Sequence, residues 1–190
     1  KPDEAAYNAW RDARISHVKN GIYGEMFVSA AIAAAFAVND VESVINAGLE
    51  VIPSRSRMAV AIRDIIDQTQ RSQNWQDVAA YISERFADHD PVHVLPNVCL
   101  VVMGLLWGDG DFERSITTVA MGGWDTDCNT ATVGSIVGVL NGAARLPDKW
   151  TRPINDQMES WLWGHNSIRI SDLAQRAYAL ARKSLNNTAG

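Results

Sequence analysis

Apolar positions recur at helical spacing along nearly the whole chain, and no convincing run of alternating strands interrupts them. Residues 21–38, GIYGEMFVSAAIAAAFAV, are alanine-rich and apolar over a long window, the pattern of a buried central helix. Asn39 and Asp40 end it, and Asp40 is placed to cap the short helix VESVINAGLEVI. In the next helix, SRSRMAVAIRDIIDQTQ, Met58, Ile62, Ile65 and Ile66 share one face, and Pro53 suits its first turn. Asn74 precedes WQDVAAYISERFA in a capping position. Pro91 marks residues 88–93 as a loop, and Pro96 opens NVCLVVMGLLWG. The GDGD of residues 108–111 reads as a turn, with Asp111 as the cap of FERSITTVAM. TATVGSIVGVLNGAARL follows, ended by LPDKW, and Ser171 precedes the last helix, DLAQRAYALARKS. With no internal repeat and no low-complexity linker, the pattern predicts an all-α fold, a compact multi-helix domain.

Composition narrows the class. The chain has 190 residues, 47% of them hydrophobic, enough for one domain with one real core. Net charge is −5 and the basic residues are scattered, so nothing predicts a nucleic-acid-binding surface. No stretch of residues 1–190 reads as a signal peptide, and the longest apolar stretch, residues 98–107, is too short to span a bilayer. The two cysteines, Cys99 in an apolar run and Cys128, fit a reducing compartment and a cytoplasmic location. The opening KPDEAAYNAW lacks a methionine and already reads as helix, whereas KSLNNTAG reads as a fraying terminus. The expectation is a chain whose N-terminal part is missing.

The candidate chemistry lies in residues 122–134, GGWDTDCNTATVG. Asp125 and Asp127 stand where a helix begins, and carboxylates there satisfy free N–H groups and favour the positive end of the helix dipole. Capping needs only one of them. Gly122 and Gly123 let the backbone bend so that both aim into one small space. Gly134, Gly138 and Gly142 then recur at every fourth position, each costing roughly 1 kcal/mol of helix propensity, a stripe that predicts close approach of another helix. Clustered carboxylates repel one another unless a hard divalent cation joins them, and oxygen ligands point to Mg²⁺, Mn²⁺ or Ca²⁺. An EF-hand is excluded: counting from Asp125, the glycine position is Thr130 and the closing glutamate position is Ile136.

GGWDTDCNTATVGSIVGVLNGA resembles the C-terminal metal motif of the ADP-ribosylglycohydrolase family, commonly Gly-Gly-Asp-Thr-Asp-Thr-Asn before a small-residue helix. ISHVKNGIYGEMFVSAAIAAAF resembles the family's central helix and the loop before it, in the same order and spacing. The resemblance covers most of the chain. It implies an all-α fold, two Mg²⁺ or Mn²⁺ ions, and cleavage of the glycosidic bond joining ADP-ribose to an acceptor. The ions would bind ribose hydroxyls and position a water. Asp125 and Asp127 match the metal-binding aspartates. Cys128 stands where the family has a threonine hydroxyl ligand; a thiol is a poor ligand for Mg²⁺, so either fewer protein groups plus water hold the ion or a softer ion such as Mn²⁺ is accepted. Trp124 departs from the short motif, either walling the site or packing. The family's upstream Ser/Thr-Asp-Asp cluster, its catalytic glutamate and its Gly-Asp-Ala-Leu-Gly-like opening have no counterpart here. The resemblance therefore implies that residues 1–190 are the C-terminal portion of a single ADP-ribosylglycohydrolase-like domain. That portion holds about half of the metal site, no assignable catalytic residue, and a surface for the missing portion or another copy.

The resemblance also implies that His17 contacts ADP-ribose, the plain alternative being a cap or a surface position. Asn20, Gly21 and Gly24 are weaker candidates for the same substrate, since glycines let a phosphate approach the backbone or shape a helix start. Glu25, inside the helix, reads as a hydrogen-bonded structural group. Asp88, His89, Asp90 and His93 have metal-ligand chemistry but sit in a loop of solvated composition. His93 and Asn97, four apart across a helix start, predict a cap or a cleft-lining side chain. Asp109 and Asp111 read as turn and cap, and WLWGHN (residues 161–166) as packing on the outside of the domain. The rival to a hydrolase is a non-catalytic member, binding ADP-ribose or serving structurally as lens crystallins of this resemblance do. An unrelated binuclear phosphohydrolase is the third reading.

Overall fold

In the computed structural model, which describes residues 1–187, the helical pattern becomes eight helices within one compact unit, Lys1–Arg145. They are α1 (Pro2–Ala13), α2 (Asn20–Ala35), α3 (Val41–Glu50), α4 (Arg57–Arg71), α5 (Trp75–Arg85), α6 (Val94–Gly108), α7 (Phe112–Met121) and α8 (Thr126–Asn141). Their starts are marked chemically. Asp40 accepts the Ser43 N–H at 2.7 Å, Asn74 the Asp77 N–H at 2.9 Å and Asp111 the Arg114 N–H at 2.7 Å, as the sequence predicts. Elsewhere the caps shift the boundaries. Ser56 accepts from Ala59 N–H at 3.1 Å, so α4 begins beyond Pro53. The Nδ1 of His93 accepts from Leu95 N–H at 3.2 Å, so α6 begins before Pro96 rather than at it. α2 stops at Ala35, short of Asn39 and Asp40.

The central helix is α6, not α2. Twelve of the 15 residues of α6 are buried, because its sequence is apolar on every side and α2, α3, α4, α5, α7 and α8 all pack on it. α2 buries Gly24, Phe27 and four alanines but leaves much of its circumference only partly covered. One hydrophobic core, from Phe27 through Met58, Ile62, Leu100 and Met103 to Ile136, serves the unit. The glycine stripe of α8 does not mark its tightest packing. A Cβ on Gly134 would meet Ile116 at 3.6 Å, one on Gly138 would meet Phe112 at 3.9 Å, and Gly142 ends the helix at φ +72°. Closer approaches occur at other glycines, as between α2 and α3, where a Cβ on Gly48 would lie 2.5 Å from the Phe27 ring, and between α6 and α7, where one on Gly104 would lie 2.8 Å from the Cβ of Val119.

The second compact unit, Leu146–Gly190, holds α9 (Asp148–Thr151), an antiparallel hairpin of β1 (Gln157–Glu159) and β2 (Ser167–Arg169), and α10 (Ile170–Asn187). The hairpin is absent from the sequence prediction because three-residue strands show no alternation to read. α10 is capped by Asp156, not Ser171: Ser171 N–H and Oγ–H donate to the two oxygens of Asp156 at 2.9 and 2.7 Å. These bonds hold the Asp156 carboxyl below its usual pKa. Trp161 and Trp163 do not pack; both are fully exposed between the strands. α10 continues through most of the stretch read as fraying, and residues 188–190 lie outside the described residues. Among the described residues no helix is long and apolar enough to cross a membrane. Cys99 is buried, its thiol pushed up to about 12 by desolvation, and Cys128 is exposed.

Candidate functional site

A tight turn delivers Asp125 to the start of α8. Gly122 packs so closely that a Cβ would lie 2.8 Å from Leu100 Cδ2, and Gly123 takes φ +83°. Trp124 follows at φ +59°, a conformation uncommon for a bulky side chain. Its half-buried ring packs against the core and its Nε1–H donates to Ser83 Oγ at 3.3 Å. Asp125 then flanks α8 with φ −81° and ψ 70°, and its carboxylate makes no cap hydrogen bond. Asp127, exposed one residue into the helix, has no hydrogen bond or ion pair among the described residues.

The ligand atoms of Asp125, Asp127 and Cys128 lie within 4.8 Å of one another, and no other such group of three His, Cys, Asp or Glu occurs among the described residues. The hydrogen bond between the Cys128 thiol and Asp125, followed by the Asp125 and Asp127 charges, holds the thiol above its ordinary pKa. Two hard oxygens and one sulfur suit a divalent cation that tolerates a soft donor, and three donors fill half of an octahedral shell.

Asp125 and Cys128 line a cleft of about 540 Å³, together with Asn129 on the same helix; Asp127 stands beside them without lining it. From α2 and the loop before it, His17, Gly21, Gly24 and Glu25 line the same cleft. His17 Nδ1 is 2.7 Å from Ser16 Oγ and 3.5 Å from Glu25 Oε1. Both glycines also serve packing: a Cβ on Gly21 would sit 3.0 Å from the His17 ring, and one on Gly24 2.7 Å from Val94. Asn20 does not line the cleft. It is buried and accepts the Met58 N–H at 3.3 Å, which ties α2 to α4. Trp124 does not line it either, but borders a separate hollow with Ser83, His89 and Pro91.

Behind the cluster lies a group the motif does not reveal. Asn97, on α6, is 9% exposed. Its Nδ2 donates to the carbonyls of Pro91 at 2.8 Å and His93 at 2.9 Å. Its Oδ1 accepts the backbone N–H of Asp125 at 3.0 Å and the Nδ2 of Asn129, itself buried, at 2.8 Å. The sequence signals for Asn97 are an amide inside an otherwise apolar run and its four-residue spacing from His93, which predicts a cap or a cleft-lining side chain. His93 does cap α6 and Asn97 does line the cleft, but its bonds to Asp125 and Asn129 carry no local signal. Glu25, read from sequence as structural, faces the cleft. The 88–93 loop gathers no metal-binding group: His89 packs edge-on against Phe86 and His93, and Asp90 accepts the Val92 N–H at 3.0 Å. Burial, then the nearby His89 and Arg57 charges, hold His93 below its usual pKa, in keeping with a neutral ring whose Nδ1 accepts a cap bond.

A profile of the ADP-ribosylglycohydrolase family matches residues 1–187, and the chain belongs to that family. Comparison with curated proteins and with solved structures finds no match.

Proposed function

We propose that this member of the ADP-ribosylglycohydrolase family carries part of the site of a metal-dependent hydrolase acting on ADP-ribosylated substrates. Asp125 and Asp127 serve as cation ligands, with Cys128 as third donor. The supporting observation is a pair of carboxylates, neither spent on capping, of which one lines a 540 Å³ cleft and the other lies within 4.8 Å of it. Mg²⁺ or Mn²⁺ held there would supply Lewis acidity toward substrate oxygens. Across the cleft His17 and Glu25 offer hydrogen-bonding groups to a ribose or phosphate, and Gly21 and Gly24 leave that wall without bulky side chains. The bond to Asp125 and the carboxylate charges push the Cys128 thiol above its ordinary pKa, so a cation that takes the sulfur must displace its proton.

Three donors leave half of an octahedral shell, and no fourth acidic or imidazole group joins them among the described residues. Water, or groups from an earlier segment or another copy, would complete the shell. The reaction takes place in a reducing, cytoplasmic setting.

The test is release of ADP-ribose by the full-length protein in Mg²⁺ or Mn²⁺. Asp125→Asn and Asp127→Asn each abolish it, with an unchanged far-ultraviolet circular dichroism spectrum. Unchanged release in both variants overturns the assignment. Binding of ADP-ribose with no release in any form supports the non-catalytic alternative.

A further inference from the structure

In a capping box the N-cap side chain bonds the amide of the third helical residue, and the side chain of that third residue reaches back to the N-cap amide. At α8 the N-cap is Asp125 and the third residue is Cys128. Neither side chain performs its half. Asp125 makes no cap bond, and the amide of Asp125 is taken by Oδ1 of Asn97, from a different helix 28 positions earlier in the chain. We infer that Asn97 is the positioning residue of the Asp125–Asp127–Cys128 cluster: it supplies the back-bond of the cap from α6, so that the side chains at the start of α8 remain available to a ligand.

The geometry supports this in two further ways. The orientation of the Asn97 amide is fixed, because its nitrogen faces two backbone carbonyls and its oxygen faces a backbone N–H. All four of its hydrogen-bonding positions are filled, so it has no freedom to turn. Its four bonds also tie the Pro91–His93 backbone to Asp125 and to Asn129. A residue that only tied α8 to a neighbouring loop would need no bond to Asp125. Asn141, near the other end of α8, is that simpler case. Its Nδ2 likewise donates to a loop carbonyl, Gly110 at 2.8 Å, and to a carbonyl of its own helix, Val137 at 2.9 Å, and it touches none of the cluster.

This inference builds on the proposed cation site, so its test has one arm that needs no metal. In the unaltered protein the Asp125 amide, at a helix start where amides otherwise exchange freely, is protected from hydrogen exchange. Asn97→Ala removes that protection, while Asn141→Ala leaves it intact. In the second arm Mn²⁺ is titrated and paramagnetic broadening is read residue by residue. Asn97→Ala weakens binding at Asp125–Cys128 by about tenfold or more, the scale of a lost outer-shell partner. Asn141→Ala lowers thermal stability without changing the Mn²⁺ affinity. If Asn97→Ala unfolds the chain, Asn129→Ala, which frees only one of the four bonds, still weakens Mn²⁺ binding in the same direction. An unprotected Asp125 amide in the unaltered protein overturns the inference, and so do equal Mn²⁺ effects of Asn97→Ala and Asn141→Ala. Absence of Mn²⁺ broadening from the unaltered protein, with Asp125 protection that depends on Asn97, overturns the cation site and leaves the positioning role supported.

Discussion

Asp111 and Asp125 begin consecutive helices, and each follows two consecutive left-handed residues: Asp109 and Gly110 before one, Gly123 and Trp124 before the other. Their side chains nevertheless do different things. Asp111 has extended backbone, φ −71° and ψ 121°, which brings its carboxylate onto the Arg114 amide. At Asp125 ψ is 70°, outside that region, and no cap bond forms. The free amide of Asp125 is satisfied from α6 instead. The same residue at the same helix position is therefore a structural cap in one place and a carboxylate spared from capping in the other. The difference lies in one backbone angle and a distant asparagine.

The sharpest way to break this comparison is to exchange the two losses. Asp127→Asn or Asp125→Ala should lower Mn²⁺ affinity by more than about a hundredfold, beyond the 10–100-fold of an outer-shell change, and barely move the melting temperature. Asp111→Ala should do the reverse, costing about 1 kcal/mol of stability for a lost cap with cation affinity unchanged. Thermal melts and Mn²⁺ titration of the three variants decide it.

The turns come next. Nothing lies within 4 Å of a Cβ built on Gly110 or on Gly123, so alanine at either position meets only the penalty of its positive φ, about 1–2 kcal/mol. Both variants should lose similar stability in denaturant melts. Gly123→Ala alone should also weaken Mn²⁺ binding, since it disturbs the turn that delivers Asp125.

A smaller effect of opposite sign is expected at Gly138. Its Cβ position meets Phe112 only at 3.9 Å, so Gly138→Ala should stabilise α8 by roughly 0.5–1 kcal/mol through helix propensity. Destabilisation measured by urea unfolding would mean that a further helix packs on that face.

The smallest effect is in pH. His93 has a folded pKa below its usual 6.5, so its neutral form is favoured by folding. That contribution is complete above the unfolded value and is lost as pH falls through 6.5 toward the folded pKa. His93→Asn, which keeps a cap acceptor, should flatten this part of the stability profile between pH 7 and 5.

Much of the fold was legible because helix starts announce themselves locally: Asp40, Asn74 and Asp111 each lie beside the amides they cap. Asp156 was not legible, since it caps α10 from across the hairpin, 15 residues before Ser171. The centre of the fold was misplaced because alanine in α2 and leucine or valine in α6 both read as apolar, although only the larger side chains fill a core from every direction. At the site, Asp125, Asp127, Cys128 and His17 carry a local pattern. Asn97 showed itself only through its spacing from His93, which predicted a cap or a cleft-lining side chain but not the bonds to Asp125 and Asn129. Those bonds, and the place of Glu25 on the cleft, depend on which helices pack together. Asn20 was drawn into the site by its neighbours in the loop, whereas its side chain is turned to the Met58 amide.

The central claim is that Asp125 and Asp127, spared from capping, jointly hold a divalent cation. Anomalous diffraction from crystals of the protein grown with Mn²⁺ tests it most directly. The account predicts a peak within coordination distance of both carboxylates and none at Asp111. Mn²⁺ peaks elsewhere with Asp125 and Asp127 bare, at a concentration that saturates activity, would contradict it.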